Sequence, residues 1–141
     1  MNKWLVLFLI VGLFIPRLIF GVEENNLRIS PEKIDIETNT LETVKVWMNA
    51  GTNQIVGVDM VMKFDPTRIQ IQDAGSEGVF DIVTGKKIDN VNGILRLSLS
   101  NNKGKFSSGN LVIAWIKLKS LQSSETSNMN IIKQIALIKN M

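Results

Sequence analysis

The side chains that could do chemistry in this 141-residue chain are acids, lysines, arginines and tryptophans, because it contains no histidine and no cysteine. That absence excludes Ser-His and Cys-His nucleophiles, histidine general bases, disulfide staples and the usual zinc or haem ligand sets. Asp73 and Glu77 come nearest to an acid pair. They fall in a loop-like stretch with no second marked partner, so two-carboxylate glycoside hydrolysis is not expected. Asp65 stands in Phe64-Asp65-Pro66-Thr67, where a carboxylate can bond nearby backbone N–H groups and proline sets the turn. No acidic ligands cluster around it, so it reads as a strand stop and not as a calcium site. What remains is recognition. Trp115 is the sharpest candidate, since tryptophan is enriched in binding hot spots and an exposed one invites a partner or a sugar ring. If the alternation around it slips by one residue, or a loop covers it, it is only packing.

The elements that position these residues read as strands. Val44, Val46 and Met48 alternate with Lys45 and Trp47; after the turn cluster Asn49 to Asn53, Val58, Met60, Met62 and Phe64 alternate with Asp59, Val61 and Lys63. Leu27, Ile29, Ile34 and Ile36 flank Ser30-Pro31, and the proline makes this first strand an edge or kinked one. Ile69 and Ile71 form a short strand ending at Asp73-Ala74-Gly75. Gly75 to Gly85 reads as a loop anchored by Val79, Phe80 and Ile82. Asn92-Gly93 between Lys86–Asn90 and Ile94–Ser100 is a hairpin signal, with Leu95, Leu97 and Leu99 inward and Arg96 and Ser98 outward. A polar stretch, Asn101 to Asn110, precedes a last clear alternation. There Val112, Ala114, Ile116 and Leu118 point in, and Ile113, Trp115, Lys117 and Lys119 point out. Short strands between Gly, Asn and Asp turns, with no convincing helix, predict an all-β antiparallel sandwich. The run Asn130 to Asn140 fits helical spacing and a β-branched strand equally on periodicity; a strand lying next to the first one is expected, because an uncovered edge invites aggregation.

Composition agrees with a folded body: 45% of residues are hydrophobic and 21% charged. Residues 1–21 read as a secretory signal, with Lys3, an apolar run from Trp4 to Ile15, an interruption at Pro16-Arg17 and small Gly21 at the cut. The bulky Ile19 leaves an uncleaved anchor as the alternative, and with it the sole membrane association expected. Residues 22–141 then form one domain facing the outside of the cell. Without Lys3 and Arg17 the count is 14 basic against 13 acidic residues, which predicts no nucleic-acid binding.

Four pieces in order carry a family resemblance. Val44 to Gly51, with Gly57-Val58-Asp59 through Phe64-Asp65-Pro66, resembles the first strands of bacterial cohesin domains. Val91-Asn92-Gly93-Ile94-Leu95-Arg96-Leu97 and Gly109 to Lys119 resemble two later ones. The resemblance spans roughly Leu27 to Ser120. It implies a jelly-roll sandwich of about nine strands and a non-catalytic module that binds a dockerin-type protein and is tied to polysaccharide degradation or cell-surface assembly. No cofactor is implied, since any calcium belongs to the dockerin. After Ser120 the pattern departs, so the C-terminal strand is expected to be altered or incomplete. By the family's strand order Asp59, Val61, Lys63, Arg96, Ser98, Ile113, Trp115 and Lys117 would share one partner-binding face. Trp47 would lie in the opposite sheet, which weakens the rival reading, a carbohydrate-binding module with paired aromatics. A structural or adhesive domain without a specific ligand is the remaining alternative.

Overall fold

Alternating apolar residues leave each strand one dry face, and two sheets bury those faces against each other. A computed structural model describes residues 26–31, 37–122 and, as backbone, 129–138. The segment expected as a signal over 1–21, and Ile34 and Ile36, lie outside these. Eight strands follow one another: β1 (Asn26–Ser30), β2 (Leu41–Asn49), β3 (Ile55–Phe64), β4 (Ile69–Ser76), β5 (Ile82–Asp89), β6 (Ile94–Ser100), β7 (Asn110–Ser120) and β8 (Met129–Ile138). There is no helix among the described residues. One sheet has the order β1-β2-β7-β4 and the other β5-β6-β3-β8, with every pairing antiparallel. Strands that pair β2 with β7 and β3 with β6, while the chain repeatedly changes sheet, make a jelly-roll sandwich.

In β2, β3 and β6 the residues that the alternation turns inward are in the core between the sheets. Val44, Val46 and Met48 of β2, Met60, Met62 and Phe64 of β3, and Leu95, Leu97 and Leu99 of β6 are all buried. The Asn92-Gly93 hairpin joins β5 to β6. Gly93 has φ +66°, and a Cβ there would sit 2.1 Å from the Phe64 carbonyl oxygen. The Phe64 N–H donates to the Gly93 carbonyl at 2.9 Å, so the hairpin end is pinned to the end of β3.

Some local expectations change. The loop is shorter than Gly75 to Gly85. β4 runs on to Ser76 past a register shift between Ile71 and Asp73, β5 begins at Ile82, and only Phe80 is fully buried as an anchor. The C-terminal run is a strand, but it pairs with β3 and not with β1; Ile55 faces Ile138 and Phe64 faces Met129. Three ties close the open sides. Lys86 binds Asp73 at 2.6 Å, the Asn90 side chain takes both the N–H and the C=O of Ile71, and Asp81 accepts from Asn102 and Lys105. The chain enters β1 at Asn26, opposite Asn49, and leaves β8 at Ile138, opposite Ile55. Both points flank the turn over residues 50–54, at one end of the sandwich.

Candidate partner-binding face

β3 and β6 are central in their sheet, and their outward residues form continuous rows because side chains of paired strands stand side by side. Asp59 pairs with Ser98, Val61 with Arg96, and Lys63 with Ile94. β5 extends the rows: Gly85 pairs with Ser98 and Lys87 with Arg96. On the other side β8 sets Ile135, Lys133 and Asn130 in register with Asp59, Val61 and Lys63. Asp59, Val61 and Ser98 are half-buried, while Lys63, Lys87 and Arg96 are exposed. Lys87 and Arg96 are directly cross-strand neighbours of like sign, an arrangement that costs stability on its own. Among the described residues no salt bridge neutralises Lys63, Lys87 or Arg96. The result is a mixed apolar and polar face with three cations, recessed Asp59 and, at the hairpin edge, Asp89 in the row of Ile94 and Lys63, a composition that fits a protein interface. Lys87 carried no motif, and only its place opposite Arg96 marks it.

Three of the expected face residues are not there. Ile113 is completely buried. In the pairing of β2 with β7, Val46 faces Ala114 and Trp47 faces Val112, so Ile113 is one extra residue in a bulge. The bulge turns both Ile113 and Ala114 into the core and places Val112, not Ile113, on the outer side. Trp115 and Lys117 do point outward, but from the other sheet, with the whole core between them and Asp59. Trp115 pairs with Gly75, and its indole lies across that glycine: a Cβ at Gly75 would be 2.8 Å from Cζ2. Trp47 is in this same sheet, which corrects its expected separation from Trp115. It is half-buried beneath Arg28, whose guanidinium carbon sits 5.1 Å from the ring centroid, and not under a loop.

Glu77, Asp73 and Asp65 are already engaged. Glu77 binds Lys45 at 2.5 Å, and Asp73 binds Lys86. The Lys86 hydrogen bond first, then the Ala74 N–H, hold the Asp73 carboxyl below its usual range. That is the wrong direction for a general acid, which needs a raised pKa. Asp65 accepts from the Thr67 hydroxyl at 2.6 Å and the Thr67 N–H at 2.9 Å, as a turn residue does. Among the described residues no three acids converge on a metal-sized site.

No family model matches the chain, and no curated relative does. Solved structures do. A cohesin module from a family 33 glycoside hydrolase of Clostridium perfringens superposes with a TM-score of 0.67 at 12% identity, over 81% of this chain and 83% of that one. This is the cohesin fold. The sixth cohesin of Acetivibrio cellulolyticus scaffoldin B, solved with a Cel5 dockerin, gives 0.65 at 15% identity over 79% and 84%. A Clostridium thermocellum OlpA cohesin, solved in a type I complex with a dockerin, gives 0.62 at 13% over 77% and 82%. In this chain a C-terminal strand does form, β8, paired with β3.

Proposed function

We propose that the chain is a non-catalytic recognition module that binds a dockerin-type protein through the outer face of β5-β6-β3-β8. The observation that carries this is the side-by-side display of Asp59, Val61, Lys63, Arg96 and Ser98 on a cohesin fold. Half-buried Val61 supplies an apolar centre and Asp59 an acceptor for a partner hydroxyl or N–H. Lys63, Lys87 and Arg96 offer donors at the rim, where charge tunes partner choice and association rate. The segment over 1–21 supports export, and a dockerin partner would link the module to polysaccharide-degrading or surface assemblies outside the cell. Any calcium in the complex sits in the dockerin.

The test is titration of the purified chain with calcium-loaded dockerin modules, repeated with chelator. Saturable, calcium-dependent binding is expected. The Lys87→Glu/Arg96→Glu double variant should lose about tenfold or more in affinity, chiefly through slower association, and keep its fold. Trp115→Phe, on the far sheet, should bind as the parent does. Equal loss in both variants, or no binding to any dockerin tried, refutes the assignment.

A further inference from the structure

The outer face of the other sheet is built differently. Asn26, Asn49 and Asn110 stand in one register row across β1, β2 and β7. All three are exposed. The next row is Arg28, Trp47 and Val112, and the one after it holds Lys45, Trp115 and Gly75. With strands about 4.8 Å apart and about 6.8 Å per two residues, the amide row spans roughly 10 Å and the strip from the amides to Trp115 roughly 14 Å. At its head lies a cleft of about 230 Å³, lined by the asparagines, Arg28, Trp47, Leu27 and Met48.

The geometry points to a binding site for a neutral polysaccharide chain along this strip. Sugar hydroxyls both donate and accept, and so do carboxamides, which offer two N–H donors and a carbonyl each. Asn49 spends its Oδ1 on the Gly51 N–H at 3.0 Å, which fixes the amide and leaves its N–H groups for a ligand. An indole ring supplies the apolar surface on which the C–H face of a sugar packs, and since the Trp47 ring is covered by Arg28, that part falls to Trp115. Trp115 is suited to this because its ring lies over bare glycine backbone on the outer side of the sheet. Little free charge faces the strip. Arg28 is stacked on Trp47, Lys45 is paired with Glu77, and the cleft lining holds no other charged residue. The strip and the docking face lie on opposite sides of the core, so both can be occupied together, and neither assignment depends on the other.

The experiment is retention of the full chain on cellulose, xylan, mannan, chitin and starch, with dockerin binding measured on the same preparations. Retention on at least one, resistant to moderate salt and accompanied by a change in tryptophan emission, is expected. Trp115→Ala should weaken it about tenfold or more. The Asn26→Ala/Asn110→Ala double variant, which alters only exposed amides, should weaken it while thermal stability stays constant. Lys87→Glu/Arg96→Glu should leave it unchanged. No retention by the parent chain on any of the five, retention confined to charged polysaccharides at low salt, or retention that survives both the tryptophan and the asparagine changes overturns the proposal.

Discussion

At Ile113 a single extra residue decides what the surface of β7 presents. Strict alternation carries Ile113 outward with Trp115 and Lys117. The bulge opposite Val46 and Trp47 turns it inward, where it is fully enclosed. Ile113→Ala should therefore cost about 2–4 kcal/mol, the range for emptying a packed core site, and not the few tenths of a surface change. Chemical denaturation measures it, and a loss under about 1 kcal/mol would return the residue to the surface. Nothing in the local sequence announced the bulge, since no glycine marks it and the extra residue is as apolar as its neighbours. Gly93 is the opposite case, readable beforehand from Asn-Gly between two alternating runs. Its positive φ and the 2.1 Å approach of the Phe64 oxygen make Gly93→Ala expensive. We expect more than about 1 kcal/mol of destabilisation, because alanine is strained there and the end of β3 must shift as well. A lowered thermal midpoint checks it; an unchanged one would mean that the hairpin relaxes freely.

At the scale of strands, alternation reports which side of a strand is dry but not which sheet the strand joins. The inward Val44, Val46 and Met48 of β2, Val58, Met60, Met62 and Phe64 of β3, and Leu95, Leu97 and Leu99 of β6 were legible for that reason, and so were the outward Asp59, Val61, Lys63, Arg96 and Ser98. Buried Ile55 at the head of β3 lies before the alternation begins. Membership of a sheet depends on pairings between strands far apart in sequence, such as β2 with β7, and no short-range pattern encodes these. Trp47 and Trp115 were misplaced relative to each other on this account. The C-terminal run was ambiguous for a different reason, since its isoleucines satisfy two periods at once. Its partner, β3, is a central strand only because β8 lies beside it. Ending the chain after Gln122 should expose the whole outer ladder of β3. Soluble monomer by size-exclusion chromatography is then expected to fall sharply, with material appearing in aggregates. A truncated chain that stays monomeric and as stable as the parent would show β8 to be dispensable.

For the molecule as a whole, the charge pattern sets its response to acid. The carboxyls of Asp65, Asp73, Asp81 and Asp89 are each held below the usual aspartate range, first by hydrogen bonds from Thr67, Lys86, Lys105 and Asn92 respectively. A carboxyl depressed in the folded state adds stability that is fully present above its unfolded pKa. That contribution fades as pH falls through the folded value. With no histidine in the chain, no side chain has its ordinary pKa between about pH 5 and 8. The thermal midpoint should be level across that span and decline below about pH 4. A step near pH 6.5 in a thermal-shift series would contradict this. The two outer faces have the core between them, so a ligand on one leaves the other open. How the molecule would carry load follows from where β1 begins and β8 stops. Asn26 and Ile138 flank the same turn, so tension applied through them does not run the length of the sandwich. It peels β1 from β2 at Asn49 and β8 from β3 at Ile55, breaking hydrogen bonds a rung at a time instead of shearing all of them at once. A weight hung from those two points would open the molecule like a zip, at low force, while a pull between the two faces would meet the full width of the core.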